Sequence, residues 1–192
     1  MQTINATKMK GIFCMKRFLL SLWNMIDPVY FHCTRLCYVP ENEKNNTVFR
    51  VRLTRYKGRS TVLDDGTPIK KNDVLLKIHL HNVRMLTELY AIHSEMKRAA
   101  YLYHLIKKSL PSLAQFMMEH KKYSDIQAII GITSLYRGAN RLGFEKVLIK
   151  SSYYRTFKKC TFFLINLLAN SSTPNPPVYL FMSKSKLFDK YT

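Results

Sequence analysis

The chain reads as an α/β (or α+β) protein, a single compact domain with a mixed sheet and packed helices. Three observations predict this class. Stretches of two-residue alternation take turns with stretches of 3.6-residue periodicity. Several predicted strands are apolar almost throughout, as strands covered on both faces are. Finally, 192 residues with 47% hydrophobic content, 12 Tyr and 11 Phe are enough for one core. Six Gly and seven Pro exclude collagen-like and low-complexity classes.

The elements follow in order. Residues 1–10 are polar and predict a flexible N-terminus, leaving residues 11–192 as one domain. Residues 12–38 predict a helix, broken or bent at Asp27-Pro28. Val48–Tyr56 alternates, with Phe49, Val51 and Leu53 on one face and Arg50, Arg52 and Thr54 on a basic outer face. Asp64-Asp65-Gly66-Thr67-Pro68 predicts a turn. Val74–His81 alternates again, with Leu76, Ile78 and Leu80 inward and Lys77, His79 and His81 outward. Asn82 then predicts the cap of one long helix to about Lys108, with Leu89, Met96 and Tyr103 in its apolar stripe. Ser109 and Pro111 predict the start of a separate, shorter helix. Ile126–Leu135 is apolar and β-branched, a buried strand. A turn or short helix over Gly138–Leu142 leads to a strand over Glu145–Ile149. Ser151 or Ser152 caps a helix across Tyr153–Leu168, and Val178–Met182 is the last strand. Ser183-Lys184-Ser185-Lys186 reads as a solvated basic C-terminus.

The charge narrows the class of partner. There are 31 Lys+Arg against 12 Asp+Glu, a formal net charge of +19. The excess is spread along the chain: 11 basic against 3 acidic groups in residues 1–63, 12 against 7 in 64–144, and 8 against 2 in 145–192. No basic tail exists, so the body itself is cationic and suits anionic surfaces. Arg50, Arg52, Arg55, Tyr56, Lys57 and Arg59 offer a phosphate-backbone surface, but no helix-turn-helix, RNP or finger pattern accompanies them. Specific nucleic-acid binding is therefore not expected, and non-specific binding is a further alternative.

Four cysteines, Cys14, Cys33, Cys37 and Cys160, form no zinc spacing and read as reduced thiols of a reducing compartment. Phe18–Ile26 follows basic residues but contains Ser21 and Asn24 and lacks a cleavage site, so no signal peptide is expected. No apolar run reaches the ~20 residues of a spanning helix. The expected location is cytoplasmic, with residues 11–26 a core helix or, alternatively, a helix lying on an anionic membrane.

Several motifs carry candidate chemistry. His79 and His81 have H-x-H spacing on one strand face, roughly 6–7 Å apart. His79 is the candidate acid/base, with Asp65 and Asp73 as carboxylate partners, and the two histidines are a weak candidate metal pair. Arg137 and Arg141 flank Gly138 and predict an anion pocket if that glycine opens a helix. There is no G-x-x-x-x-G-K-S/T and no G-x-G-x-x-G, so no cofactor is predicted. Leu142-Gly143-Phe144-Glu145 is similar to a short piece of N-acetyltransferases, whose glycine-rich coenzyme A loop is absent here.

Five segments, in order, carry a broader resemblance. They are Arg55-Tyr56-Lys57-Gly58; Asp65-Gly66-Thr67-x-Ile69; Asp73 through Ile78-His79-Leu80 to Asn82; Gly131-Ile132-Thr133 through Arg137-Gly138-Ala139 to Arg141-Leu142-Gly143-Phe144; and Pro177–Ser183. Together they resemble the YkoP-like family of small proteins from Gram-positive spore-forming bacteria, across about residues 20–187. The same domain resembles a module attached to some polysaccharide deacetylases. One departure is Asn72, where the pattern has Gly before Asp73. The resemblance implies work on cell-envelope or spore-surface glycan. The expected partner is an anionic glycan, its lipid-linked precursor or a membrane surface, bound through Arg55, Tyr56, His81, Asn82, Arg137 and Arg141. The alternative is a non-enzymatic scaffold that recruits a glycan-modifying enzyme. Both segments of the candidate site must meet in one cleft for a shared site to exist.

Overall fold

A computed structural model describes residues 21, 22, 24–41, 46–92, 94–120, 123–159 and 175–192. Helical residues 24–33 (α1) precede β1 (Cys37–Pro40) and β2 (Asn46–Arg55). A small hairpin, β3 (Thr61–Val62) and β4 (Pro68–Ile69), leads to β5 (Val74–Leu80). Helices α2 (Asn82–Tyr90) and α3 (Glu95–Glu119) connect it to β6 (Ala128–Thr133). A 3-10 turn (Ala139–Leu142), β7 (Glu145–Leu148), helical residues 152–159 (α4), β8 (Val178–Ser183) and α5 (Lys184–Tyr191) complete the order.

The mixed α/β architecture is the one the sequence predicts. The main sheet has strand order β1-β2-β5-β6-β8-β7. Only β5 and β6 are parallel; the other neighbours are antiparallel. The α2–α3 pair is the crossover that a parallel pair needs. Period-two alternation sends each strand's side chains to two different layers. Phe49, Val51, Leu76, Ile129 and Met182 face α3 and α5. Leu75, Ala128, Ile130, Tyr179 and Phe181 face the β3–β4 hairpin and α4, where Leu63, Ile69 and Tyr154 cover them.

That second layer corrects the reading of Arg50, Arg52, Lys77 and His79 as an outward basic face. Arg50 is 3% exposed and the other three are half-buried, because β2 and β5 are interior strands covered on both sides. Three helix boundaries also differ. The first helix ends at residue 33 and Cys37 already belongs to β1, since the β1–β2 ladder captures residues 37–40. The helix begun at Asn82 does not reach Lys108: the chain breaks after Tyr90, and Ser94 caps α3 by accepting from the Lys97 N–H at 3.4 Å. Met96, expected in the stripe, is 82% exposed.

The predicted break at Ser109-Pro111 is absent, and α3 runs through it. An interior proline costs about 3 kcal/mol. Leu110, Leu113 and Met117 are essentially fully buried there, and each such side chain contributes roughly 1.5–3 kcal/mol. Burial wins. Ser109 instead donates to the Leu105 carbonyl at 2.9 Å. The C-terminal residues form α5, capped by Ser183 and anchored by fully buried Leu187. The longer helix expected after Ser151 extends outside the described residues, as do Cys14 and Cys160 and the segment 11–20. Cys33 and Cys37 are exposed free thiols.

Candidate functional site

The chemistry converges where β5 meets β2 on the second layer. Antiparallel register sets Arg50 opposite His79 and Arg52 opposite Lys77. Side chains of opposed residues lie on the same face, so four basic side chains crowd one surface. Lys158 on α4 faces the same cluster, acting on both Lys77 and His79.

Arg50 is the structural anchor. Its two terminal nitrogens donate to Asp27 at 2.8 and 2.6 Å, a bidentate ion pair that ties α1 to the sheet. It also donates to Tyr38 Oη at 2.9 Å and to His81 Nε2 at 2.7 Å. The Phe31 and Tyr38 rings lie 5.2 and 5.0 Å from its guanidinium carbon. Burial opposes its charge, but the Asp27 and Tyr38 contacts more than offset this and hold its pKa above the ordinary value. Asp27 lies outside every motif the sequence offers, and a lone Asp before a Pro carries no signal of this role.

Lys77 and His79 are less well provided. Burial, reinforced by Lys158 and Arg52, lowers the Lys77 ammonium to about 8. Burial, reinforced by Lys77, Arg52, Lys158 and Arg50, lowers the His79 imidazolium to about 3, so His79 is neutral at pH 7. His79 Nε2, Arg50 Nε and Arg52 Nε are buried with no hydrogen-bond partner among the described residues. Such atoms mark a place where a ligand or water completes the bonding.

A cavity of about 930 Å³ opens beside them. Its lining includes Arg50, Lys77, His79 and Lys158 from one layer, and Ile78, Leu80, Leu102 and Phe144 from the other. Arg137 also lines it. His79 and Arg137, the two segments that a shared site requires, thus border one cavity.

The other expected residues lie elsewhere. Asp65 sits in the β3–β4 turn, accepting from the Thr67 N–H at 3.0 Å and from Ser183 Oγ. Partial burial opposes its charge, but those bonds and nearby Lys186 hold its pKa below the ordinary value. Asp73 accepts from the Lys70 N–H at 2.6 Å and precedes the first residue of β5. Six residues of strand separate it from His79, about 20 Å. Neither carboxylate can share a reacting atom with His79, so both are turn-forming groups. Asn72 between them has φ +72°, the left-handed conformation for which Gly is preferred and Asn is tolerated.

Tyr56 is buried and donates to the Arg59 carbonyl at 3.0 Å. A Cβ on Gly58 would stand 2.2 Å from its hydroxyl, so the Tyr56-Lys57-Gly58 string is a packing motif. Arg55 is exposed at the end of β2. Gly138 has φ +80° and opens only a four-residue 3-10 turn, whose Ala139 and Arg141 N–H groups bond back to Tyr136 and Gly138. The expected helix-terminus anion pocket is not formed, and Arg141 is exposed beyond it.

His81, not Asn82, occupies the cap position of α2; Asn82 is its first residue. Arg50 always donates, so His81 Nε2 accepts and the single imidazole proton stays on Nδ1. The 3.4 Å approach of Nδ1 to the Arg84 N–H is then a weak contact at most. Burial and Arg50 lower the His81 pKa, against the opposing pull of Asp27. With Nε2 committed to a cation, His81 cannot pair with His79 on a metal. No group of three or more His, Cys, Asp or Glu suited to a metal occurs among the described residues. No helix among them is long and apolar enough to cross a membrane.

The comparisons agree with one another. The YkoP domain family model matches residues 16–191. A Bacillus subtilis (strain 168) protein, "Uncharacterized protein YkoP", is 43% identical over 182 residues, covering 92% of this chain and 98% of its own. No solved structure matches. With this match along nearly its whole length, and the fold that accompanies it, the chain belongs to the YkoP family.

Proposed function

We propose that this YkoP-family domain binds an anionic envelope or spore-surface glycan, or its lipid-linked precursor, by seating an acidic group in the cavity beside Lys77 and His79. One observation carries the reading. Arg52 and Lys77 crowd one covered sheet surface beside Arg50, while the carboxylate of Asp27 is already committed to Arg50. Buried charges are normally paired. An acidic ligand group relieves their mutual repulsion, satisfies His79 Nε2 and restores the full charge of Lys77. Arg137 at the same cavity adds a further cation. The cavity volume falls within the ~300–1,000 Å³ of small-molecule sites.

This is a binding role before it is a catalytic one, because the two carboxylates expected to partner His79, Asp65 and Asp73, are engaged in turns away from it. It also differs from nucleic-acid binding through the β2 strand, since Arg50 lies under α1. Exposed Met25, Ile26 and Val29 on α1 supply apolar contact for work at the membrane periphery.

The test is calorimetric titration with a uronic-acid tetrasaccharide, a neutral tetrasaccharide of equal length, and a DNA duplex. The acidic sugar binds, and Lys77→Met weakens it roughly tenfold or more, the loss of one charge-assisted contact. Equal binding of the neutral sugar, or duplex binding that is stronger and indifferent to Lys77→Met, overturns the reading.

A further inference from the structure

Successive residues of a strand point to opposite faces, yet Ile78, His79 and Leu80 all line the same space, as do Gly131, Ile132 and Thr133 on the facing strand. The cavity thus borders both strands where their pairing stops. The register between them consists of Leu76↔Ile129 and Lys77↔Ile130 and ends there, although β5 continues to Leu80 and β6 to Thr133.

Backbone direction identifies what faces this gap in the pairing. The His81 N–H donates to Val48 on β2, so odd positions of β5 turn their amides to β2 and Leu80 turns its own toward β6. The Lys184 N–H donates to Gln127, so odd positions of β6 turn to β8 and Ile132 turns toward β5. Leu80 and Ile132 are half-buried; amides shielded from water require partners, and unpaired strand edges take extended amide-bearing chains. The gap also lies at the carboxyl ends of the parallel pair, where open α/β sheets place ligands. Gly131 leaves it open on the α3 side: a Cβ there would meet Ile78 at 3.5 Å. Leu142 and Phe144 give the same cavity an apolar wall.

We infer that the gap between β5 and β6 holds the extended, amide-bearing arm of a phosphopantetheine-type group carrier such as coenzyme A. Its two amides pair with the Leu80 and Ile132 edges, and its phosphates are drawn by the cationic lining, Lys77 and Arg137 among it. For the anionic end this rests on the reading above; for the arm it rests on the backbone alone.

Titration of the full chain with coenzyme A, pantetheine and adenosine 3′,5′-bisphosphate tests it. Coenzyme A binds one per chain and pantetheine more weakly, and the bisphosphate falls at least roughly tenfold short of coenzyme A. Gly131→Val fills the gap and loses coenzyme A, whereas Gly131→Ala, which fits at ordinary contact distance, keeps it. If the valine variant fails to fold, amide hydrogen exchange in the unaltered chain decides: coenzyme A slows exchange at Leu80 and Ile132. Bisphosphate binding equal to that of coenzyme A, or unchanged exchange at those two amides, overturns the arm while leaving the anion seat intact. Acidic-sugar binding without any coenzyme A binding does the same. Coenzyme A binding without acidic-sugar binding instead overturns the glycan reading and leaves the arm.

Discussion

The two faces of the sheet, built from the same strands, are solved in opposite ways. Toward α3 and α5, even positions of β5 and odd positions of β2 meet Leu110, Leu113 and Ala114, and apolar packing does the whole task. Toward α1 and α4, the intervening positions bring Arg50, Arg52, Lys77 and His79 under cover. The first face gains stability from burial. The second gives some up, since desolvated like charges repel, and on it Asp27 neutralises Arg50. A face that is costly to bury and still buried is where binding is to be sought.

The contrast is broken most strongly at its anchor. Asp27→Ala leaves Arg50 buried and unpaired, and is expected to cost about 3–5 kcal/mol in a urea titration. On the opposite face, Leu113→Ala costs about 2–5 kcal/mol by cavity formation. A loss below about 1 kcal/mol for Asp27→Ala would show that the two faces are not anchored differently.

The pH dependence comes next. For His79, the folded pKa is about 3 against an ordinary 6.5, so the unfolded chain binds more protons between these values. Stability therefore rises with pH from about 3 to 6.5. For Lys77, about 8 folded against 10.5 gives a second rise between those values, with a plateau between the two arms. The charges facing these groups, Arg50, Arg52, Lys77 and Lys158, remain cationic across the acid arm. His79→Gln should flatten that arm in thermal melts and leave the alkaline one; the lowered pKa of Asp65 contributes a same-sign slope that survives. An unchanged acid arm in His79→Gln sinks the assignment.

Lys77→Met sharpens the comparison at smaller amplitude. Replacing a half-buried cation that has no carboxylate partner among the described residues with an isosteric apolar chain should be neutral or stabilising by about 1 kcal/mol, the reverse of any truncation on the other face. In the unaltered chain, inorganic phosphate should raise the melting temperature by mass action, and in Lys77→Met it should not. A destabilised Lys77→Met that still responds to phosphate contradicts both halves. The smallest effect belongs to Arg141→Ala, exposed and outside the cavity, expected within about 0.5 kcal/mol and without effect on anion binding.

Much of the fold is legible because it is local. Alternation over Phe49–Leu53 and Leu76–Leu80 marks β2 and β5 within a residue or two, and Asp65-Gly66 marks its turn. The continuous helix through Pro111 is not legible, because the packing of Leu110 and Leu113 that outweighs the proline is a long-range fact. The site divides the same way. His79 and Arg137 stand out as residue types, and both border the cavity. Asp65, Asp73, Tyr56 and Gly58 stand out equally, yet they shape turns and packing.

By itself, the sequence determined the family, through its five ordered segments, and the mixed class and cationic body, since composition and two-residue periodicity are properties of neighbouring residues. Tertiary structure alone decided that the basic positions of β2 and β5 face inward. It also decided that Asp27 neutralises one of them, and that the pairing of β5 with β6 ends at Lys77 and Ile130. Periodicity separates two faces of a strand, but which face is covered depends on helices that arrive from distant parts of the chain.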